Sequence, residues 1–397
     1  MPRLLPRRIA AEFPDSLRES LVALRRDLHE HPELSWHEER TAEKLHAALA
    51  ALHPAELFRV AGTPGTGIIA RIRGRDPGRP VVAIRGDIDA LPIQEATGLP
   101  FSSRTPGVMH ACGHDVHATW AVGAAHLLTE TPAAGDVVVV LQPAEETGEG
   151  ALEILRSNAL DGVTAIFGAH VDRRFAVGQV VAEAGPLAAA ADTFDIELVG
   201  AGAHGARPHE SADPIVGAGA LIGALQTIVS RRIDPARPAV VTVGTVHAGS
   251  APNVIPGSAK LSGTLRAIDP DTRSFLHEEL RRVASAVASL HRLEARVTLG
   301  LGPPPIVNPP DVAAWAHEAA SSLLGAGGVV PLGTLNMGGE DFAYYMERMP
   351  GCFMRVGARE AGGVSIPAHS PGFYPAEESI FVGAALLAEC ARVASQG

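Results

Sequence analysis

The feature that most restricts the fold of this chain is a series of short, almost wholly apolar runs that alternate with helical segments. Each run is rich in valine or isoleucine and lies beside glycine or proline: 67–72 (GIIARI), 80–86 (PVVAIRG), 136–143 (DVVVVLQP) and 163–170 (VTAIFGAH). Continuous runs of this kind are typical of strands buried on both faces of a mainly parallel sheet. Helical stretches at 116–130 and 151–160 separate them. The pattern therefore predicts an α/β fold.

Beyond residue 183 the order of the predicted elements changes. It becomes strand, helix, strand, strand, helix, strand, at residues 193–202, 214–232, 239–249, 259–269, 272–290 and 294–301. This is the ferredoxin-like order. A proline-rich segment at 302–310 is predicted to be a stiff linker back to the first domain, which adds a strand at 353–358 and a helix at 378–394. We therefore predict an α/β catalytic domain, residues 1–183 and 303–397, split by a ferredoxin-like α+β lid, residues 184–302.

Composition excludes several classes of protein. The formal net charge of −11 argues against nucleic acid as a partner, because a phosphate backbone requires a basic face. No uninterrupted apolar stretch has the roughly 18 residues that a membrane span requires, and the first residues lack the apolar core of a secretory signal. Three cysteines are too few for a disulfide framework. We expect a cytoplasmic protein with neither a membrane nor a nucleic-acid partner.

Acidic and imidazole side chains follow the predicted strands at the point where each strand ends. Asp87 and Asp89 follow the second run, Glu145 and Glu146 follow the third, and His170 ends the fourth. The strand at 353–358 is followed, after a loop, by His369 in the same way. In open α/β sheets, ligands bind at the carboxyl ends of the strands. The sequence therefore predicts that these groups face one crevice.

The segment HACGHDVHATW, residues 110–120, adds Cys112 and His114 just before a predicted helix. Thiolate, imidazole and carboxylate ligands suit a metal such as Zn²⁺ or Mn²⁺. A redox motif would show a CxxC pair, and a closed structural zinc site usually contains such pairs, whereas this chain has no CxxC. A cysteine nucleophile would not require the surplus of ligands. With two adjacent glutamates, one can ligate a metal and its neighbour can act as a general base towards water.

The chain resembles the bimetallic amidohydrolases of the aminoacylase and carboxypeptidase-G type. It is closest to the branch that contains hippurate hydrolases, N-acyl-amino-acid amidohydrolases and auxin-conjugate hydrolases. The motifs that carry the resemblance run in order from about residue 25 to residue 373: RRDLHEHPELSWHEERTA, RGDIDALPIQE, MHACGHDVHATW, LQPAEETGEGA, GAHV, HGARPHESADPI, APNVIPGSAKLSGTLRAID, GGEDFAYY and AHSPGF. HACGHD together with QPAEE is a specific combination.

The resemblance implies a role for each matching residue. Two divalent ions, zinc or manganese with cobalt or nickel as alternatives, would be held by Cys112, His114, Glu146, His170 and His369, with Cys112 as the bridging ligand. Glu145 would be the general base. His204 would cross a dimer interface to polarise the scissile carbonyl, and Asn253 and Arg266 would hold the carboxylate of the substrate. The inserted domain would then serve for dimerisation as well as closure, and the protein would be a homodimer or a higher homo-oligomer.

Several positions depart from the family pattern. Relatives carry more acidic residues after the position of His369, a small polar residue where this chain has Gly339, and an apolar or proline-containing stretch in place of Arg173 and Arg174. In the carboxypeptidase-G branch a metal-binding histidine occupies the position of Asp87. We therefore predict that Asp87 and Asp89 lie behind the ligands, Asp89 being the better candidate for orienting one of them.

The sequence and the resemblance together predict a metal-dependent hydrolase. It would cleave the amide of an N-acyl amino acid, a small molecule, to a carboxylic acid and a free amino acid. A dipeptidase or aminopeptidase of the same fold is an alternative, because nothing in the sequence decides between an acyl pocket and an ammonium site. A binding protein without catalysis would have lost Glu145 or a ligand. A cysteine-nucleophile amidase would be indifferent to chelators.

Overall fold

The structure of the protein is a computed structural model that describes residues 5–60, 65–325 and 327–397. The chain divides into two compact units. The first unit comprises Met1–Gly185, Asn308–Gly333 and Tyr344–Gly397, and the second comprises Pro186–Val307 and Thr334–Ala343. A short segment, Thr334–Ala343, thus joins the second unit although it lies well beyond the predicted insertion.

The helices predicted at 116–130, 151–160, 214–232, 272–290 and 378–394 lie close to those positions, and a proline or a glycine marks many helix ends. They are α1 (Arg7–Glu12), α2 (Asp15–Glu30), α3 (Glu39–Ala50), α4 (His114–Glu130), α5 (Gly150–Arg156), α6 (Pro214–Arg232), α7 (Pro270–Leu290), α8 (Pro310–Leu324), α9 (Ala343–Met346) and α10 (Glu378–Ala394). Helix α8 was not predicted, because it follows directly on the proline-rich segment. Pro310 occupies its first turn, where a missing N–H costs nothing.

The strands include every predicted run and several short additions. They are β1 (Glu56–Arg59), β2 (Ile68–Ile72), β3 (Val81–Asp87), β4 (Val137–Gln142), β5 (Val163–Ala176), β6 (Val180–Val181), β7 (Gly185–Ala188), β8 (Ala190–Val199), β9 (Ala203–His204), β10 (Ala239–Ala248), β11 (Val254–Ile255), β12 (Ser258–Ala267), β13 (Glu294–Gly300), β14 (Ile306–Asn308) and β15 (Gly351–Arg359). Strand β14 lies inside the segment predicted to be only a linker.

The first unit contains a seven-stranded sheet in the order β1-β2-β4-β3-β5-β15-β6. Its central pairs, β4 with β3, β3 with β5 and β5 with β15, are parallel. The outer strands β1, β2 and β6 pair antiparallel, so β2 runs opposite to β4 although its apolar run resembles those of the parallel strands. Every residue of β4 is buried, as expected for a strand covered on both faces. The predicted α/β class is confirmed.

The order of the central strands creates a topological switch point. The chain leaves β3, passes through α4 and returns on one side as β4, and then forms β5 on the other side of β3. Crevices that bind ligands form at such a point, outside the carboxyl ends of the strands. Helix α4 packs so closely on β3 that a Cβ on Gly86 would lie 2.4 Å from the His117 carbonyl oxygen. Position 86 therefore requires glycine.

The second unit has the predicted β-α-β-β-α-β order, formed by β8, α6, β10, β12, α7 and β13. Its four strands form an antiparallel sheet in the order β10-β12-β8-β13, with β10 and β13 at the edges. Helices α6 and α7 pack on this sheet and bury Leu221, Leu225, Leu276 and Leu280 against Phe194. The two remaining strand pairs are β9 with β11 and β7 with β14.

Within the described residues, α6 is the one helix long and apolar enough to cross a membrane by length and composition. An 18-residue window of this helix has a mean hydropathy of 1.3, and 33% of the window is buried. The sequence expectation of no such segment counted only uninterrupted apolar stretches, whereas α6 contains glycine, glutamine and threonine. Its buried face belongs to the core of the second unit.

Candidate metal centre

The carboxyl ends of β3, β4 and β5 carry the predicted polar groups. Asp87 ends β3, and Glu145 and Glu146 begin a 3-10 turn just after β4. His170 lies within β5, which runs on beyond its pairing with β3 at Gly168. The groups thus lie together at the carboxyl ends of the strands, where the strand order predicts a ligand-binding crevice.

Gly113 allows the two neighbouring ligands of the HACGHD motif to face the same site. It precedes the first residue of α4 with a φ of 93°, in the left-handed region that favours glycine. A Cβ at this position would lie 2.5 Å from the Val171 Cγ2 atom. The chain therefore turns sharply between Cys112 and His114, and a side chain at 113 would collide with the strand that carries His170.

Three of the predicted ligands form a first donor set. Cys112, His114 and His170 each offer a ligand atom, and these atoms all lie within 4.8 Å of one another. The Cys112 sulfur lies 3.2 Å from His170 Nε2. His170 Nδ1 lies 2.7 Å from the Val171 carbonyl oxygen, so Nδ1 carries the proton and Nε2 presents its lone pair. All three side chains are buried or half-buried.

A second donor set shares Cys112 with the first. It consists of Cys112, Glu146 and His369, again with ligand atoms within 4.8 Å of one another. His369 Nε2 lies 3.3 Å from Glu146 Oε1. Glu145 and Glu146 each place a carboxylate oxygen 3.8 Å from His114 Nε2. The arrangement brings all five predicted metal ligands and the predicted base into one cluster.

Two atoms of this cluster lack the hydrogen bonds that burial requires. Among the described residues, His114 Nε2 and Glu146 Oε1 are buried and form no hydrogen bond of good geometry, although Glu146 Oε1 has His369 Nε2 as an ion-pair neighbour at 3.3 Å. Buried polar atoms without a partner are rare in proteins and each requires an explanation. A divalent cation supplies one, because both atoms are metal-ligand types and both belong to donor sets. The residues present therefore fit a pair of metal ions that share Cys112.

Burial and neighbouring carboxylates strongly shift the titration of the groups in this site. Burial raises the pKa of the Cys112 thiol well above its usual range, and the Glu146 carboxylate adds to the increase. Burial lowers the pKa of His170 well below its usual range, which keeps that imidazole neutral as a ligand requires. For His114, burial is outweighed by the Asp87 carboxylate and the hydrogen bond to Asp89, so its pKa is raised. The site concentrates negative charge that a cation would neutralise.

Asp89 orients His114 from behind. His114 Nδ1 lies 2.9 Å from the Asp89 carbonyl oxygen and 3.1 Å from its Oδ1 atom. The second carboxylate oxygen accepts hydrogen bonds from the Ser35 hydroxyl at 2.7 Å and from the Glu146 backbone N–H at 3.1 Å. One buried carboxylate thus connects a ligand of each donor set. The sequence predicted the orienting role of Asp89 but gave no indication of Ser35.

Asp87 has a different set of partners. It forms a buried ion pair with Arg85 and lies 2.6 Å from His117 Nδ1. His117 Nε2 in turn accepts a hydrogen bond from the Val171 backbone N–H at 3.0 Å, so the proton of this imidazole is on Nδ1. Asp87 therefore acts through His117 on the strand segment next to His170. In the sequence, His117 in the HACGHDVH segment and Arg85, two positions before the aspartate, are the signals of this network.

The turn that carries the two glutamates is held in an unusual conformation. Ala144 has a φ of 51°, which costs a non-glycine residue about 1–2 kcal/mol. Its N–H donates to Glu38 Oε1 at 2.9 Å, and the other Glu38 oxygen accepts from the Thr66 hydroxyl at 2.9 Å. Glu38 is fully buried. Sequence analysis missed this residue because it lies on the loop before α3, more than a hundred positions from the turn.

The residues predicted to act from the inserted domain lie in the second unit. His204 is exposed in β9, and Asn253 is exposed in the adjacent turn, where its carbonyl oxygen accepts from the Gly205 N–H at 2.8 Å. His204 Nδ1 accepts a hydrogen bond from the Ala206 N–H at 3.0 Å, which places the imidazole proton on Nε2. Arg266 is half-buried in β12. Their roles towards substrate stay predictions.

Imidazole, thiolate and carboxylate donors around two points, with a further glutamate beside them, define a metal-dependent hydrolase built on an α/β sheet. Residues 83–393 match the profile described as Peptidase family M20/M25/M40. The chain belongs to this family, and it is a hydrolase that acts on C–N bonds. The predicted family and the predicted enzyme class are thereby confirmed.

Similar proteins cover nearly the whole chain. An N-acetylcysteine deacetylase of Bacillus subtilis is 41% identical over 375 residues, which are 94% of this chain and 96% of that protein. An IAA-amino acid hydrolase, ILR1-like 2, of Arabidopsis thaliana is 38% identical over 94% of this chain and 84% of its own length. A crystal structure of a dinuclear metal-binding M20 peptidase from Bacillus subtilis superposes with a TM-score of 0.85 at 38% identity, over 96% of this chain and 99% of that one.

Proposed function

We propose that the protein hydrolyses the amide bond of N-acyl amino acids with the help of two divalent metal ions. The observation that carries the proposal is the pair of donor sets that share Cys112, with Glu145 beside them. The deacetylase and the auxin-conjugate hydrolase among its relatives act on substrates of this kind by their names. Dipeptidase or aminopeptidase activity on the same fold is the alternative.

The chain would hold one ion with Cys112, His114 and His170 and the other with Cys112, Glu146 and His369. Bound ions would polarise the scissile carbonyl and lower the pKa of the attacking water towards about 7. Softness of the ligands favours zinc, and cellular availability can favour manganese, with cobalt or nickel as alternatives.

Glu145 is the proposed general base. Its carboxylate lies 3.8 Å from His114 Nε2, and Glu145 itself groups with His114 and Glu146 as a possible ligand. The resemblance to the family assigns the ligand role to Glu146 and the base role to Glu145. Glu145 would take a proton from the attacking water and later transfer it to the leaving amine. The strained Ala144 turn, held by Glu38, fixes the direction in which this carboxylate points.

His204 is the proposed donor to the developing oxyanion, contributed by a second copy of the chain. Because its Nδ1 accepts from the Ala206 N–H, the exposed Nε2–H can donate to a ligand. A donor aimed at an oxyanion stabilises the transition state. Asn253 and Arg266 are the proposed partners of the carboxylate of the substrate.

A second copy of the chain has a suitable surface in the second unit. Ile215 and Val216 in the first turn of α6 are 48% and 55% exposed, and Val246 on β10 and Val254 on β11 are 45% and 50% exposed. A Cβ on Gly249, at the end of β10, would lie 3.6 Å from Ile215 Cδ1, so the helix and the strand present one apolar surface. Contiguous exposed apolar residues of this kind mark interaction sites.

The edge of the sheet supports the same proposal. Strand β10 pairs only with β12 in the described part of the chain, so its outer backbone groups are available for pairing. An exposed edge strand is a template for another strand. We propose that two copies associate through β10 and the apolar start of α6, and that the dimer works in the cytoplasm, where its three unpaired cysteines stay reduced.

A substrate panel with metal removal tests the proposal. N-acetyl, N-benzoyl and N-indoleacetyl amino acids and unblocked dipeptides are incubated with the enzyme before and after EDTA, and then with Zn²⁺, Mn²⁺ or Co²⁺ added back. We expect release of free amino acid from the acylated substrates, loss of release after chelation and recovery with at least one metal.

Two other results would contradict the proposal in different ways. Preference for unblocked dipeptides would show that the substrate site binds a free ammonium group and not an acyl group. It would establish the dipeptidase or aminopeptidase alternative. Hydrolysis that ignores chelation but stops on treatment with iodoacetamide would indicate a cysteine nucleophile instead.

A further inference from the structure

Arg173, which departs from the family pattern, is a buried residue of β5. It lies three residues after His170, and its side chain is 1% exposed. Its guanidinium donates to Glu360 through both terminal nitrogens, at 2.8 and 3.1 Å. It also lies 4.5 Å from the centre of the Tyr374 ring. A fork-to-fork pair of this kind fixes geometry as well as charge.

The same guanidinium reaches the backbone of the segment between these two partners. It donates to the Tyr374 carbonyl oxygen at 2.6 Å and to the Val364 carbonyl oxygen at 2.9 Å. The Tyr374 hydroxyl donates to Glu360 at 2.8 Å, which closes the network. The Arg173 side chain therefore contacts both ends of residues 360–374, at Glu360 and Tyr374, and an internal residue, Val364. Residues 360–374 are here called the ligand loop.

The ligand loop carries His369. This residue has a φ of 62°, a conformation that persists only where the surrounding structure enforces it. Its N–H donates to the Ala111 carbonyl oxygen at 2.8 Å, next to Cys112. The side chain of His369 is 53% exposed, so packing alone does not fix it. Its position depends on the anchors of the loop, which include Ala111 near the metal centre, the Ala96 N–H that donates to the Pro371 carbonyl oxygen at 2.8 Å, and Arg173 behind it.

We propose that Arg173 is a positioning residue that holds the ligand loop so that His369 completes the second donor set. The inference rests on the proposed function, since it takes the two donor sets to be metal sites. The hydrogen bonds of the Arg173 guanidinium go to the ligand loop and to Ala358, whereas the ligands of the first set lie on β5 and around the start of α4. Loss of Arg173 should therefore weaken the ion held by Cys112, Glu146 and His369 and spare the other.

Titration of the metal-free protein with Co²⁺ tests this directly. Calorimetry gives the affinity of each ion, and the visible absorption of bound Co²⁺ reports the ligands around it. We expect two ions per chain in the wild type. In Arg173→Ala the affinity for one ion should fall about 10–100-fold, the range for loss of a residue that supports a ligand. The affinity and the Co²⁺ absorption spectrum of the ion held by Cys112, His114 and His170 should be unchanged.

Arg174→Ala is the matched control, because this neighbouring arginine is 37% exposed and pairs with Asp172. It should bind both ions as the wild type does. Arg173→Lys keeps the positive charge but cannot form the two-pronged pair with Glu360. Its affinity for the ion held by Cys112, Glu146 and His369 should lie between the affinities of Arg173→Ala and of the wild type. If Arg173→Ala does not fold, Glu360→Gln and Tyr374→Phe weaken the same network with little loss of volume, and both should weaken the second ion selectively.

The outcomes separate this inference from the proposed function. Two ions in the wild type and unchanged affinities in Arg173→Ala, Glu360→Gln and Tyr374→Phe would overturn the role of Arg173 alone. Equal weakening of both ions would also overturn it, since that indicates a general structural role. Fewer than two ions in the wild type would contradict the proposed function and, with it, the inference.

Discussion

Asp89 contacts one nitrogen of His114 twice, through its own carbonyl oxygen at 2.9 Å and through its carboxylate at 3.1 Å. The contact fixes the proton on His114 Nδ1 and leaves Nε2 as the ligand atom. Because the other carboxylate oxygen accepts from the Glu146 N–H, this one side chain aligns ligands of both donor sets.

Replacing Asp89 by alanine should therefore weaken both ions. Supporting residues of this type contribute a factor of about 10–100 in metal affinity, and we expect a loss in that range for each ion in a Co²⁺ titration. Asp161→Asn, an exposed aspartate in the loop before β5, is the control and should be neutral. Wild-type affinity in Asp89→Ala would show that His114 is oriented by other contacts.

Gly113→Ala should lower the free energy of unfolding by more than the cost of its backbone conformation alone. The φ of 93° penalises alanine by about 1–2 kcal/mol, and the new Cβ would also lie 2.5 Å from Val171 Cγ2. Gly162→Ala is a matched control, since Gly162 has a φ of 80° and its new methyl group would meet no described atom within 4 Å. Denaturation of the metal-free proteins measures both costs, and equal costs would contradict the steric argument.

Acid should destabilise the fold through Glu95. Although burial opposes the shift, hydrogen bonds from His29, Thr97 and Ser103 lower the pKa of Glu95 to about 2, from an ordinary value of 4.5. A depressed folded-state pKa contributes stability above pH 4.5 that is lost as the pH falls towards 2. The free-energy difference between wild type and Glu95→Gln, measured in urea, should shrink over that interval.

Glu19→Gln, an exposed glutamate on α2, gives the baseline for this comparison. Its unfolding free energy should track the wild type at every pH. A gap between wild type and Glu95→Gln that stays constant down to pH 2 would mean that the carboxylate of Glu95 is not stabilised by its neighbours.

Dimerisation should depend on the apolar surface of the second unit. The double substitution Ile215→Asp and Val246→Asp places charge on both parts of that surface, and sedimentation should then show a monomer. Turnover should fall about 100-fold or more, the usual effect of losing one oxyanion donor, since His204 would no longer reach a second copy. Leu290→Asp, at an equally apolar but separate position 77% exposed, should leave the dimer and its activity intact.

The sequence predicted the central sheet well because its strands are buried on both faces. A run such as DVVVVLQP is apolar without alternation, as a strand buried on both faces should be, and β4 begins and ends within it. The direction of a strand could not be predicted from such a run. The run of β2 resembles those of the parallel strands, yet it pairs antiparallel to β4, because apolar composition records burial and not direction.

The clustering of the candidate ligands was predictable for the same reason that the crevice was. Strand ends converge in this fold, so Glu146 and His170 could be placed near each other without a structure. Residues such as Glu38 and Arg173 could not, because their side chains contact partners more than a hundred positions away in the sequence. In the sequence Arg173 is merely a departure from a pattern, and its burial becomes visible only in the fold.

The central claim is that Glu145 moves the proton while the five ligands hold the ions. The most direct measurement is the metal content of Glu145→Gln together with its turnover of an N-acyl amino acid. The account predicts two ions per chain, as in the wild type, and turnover lowered by about 10²–10⁴-fold, the contribution of a general base. Wild-type turnover with two ions bound would contradict the role of Glu145, and loss of an ion would make it a ligand instead.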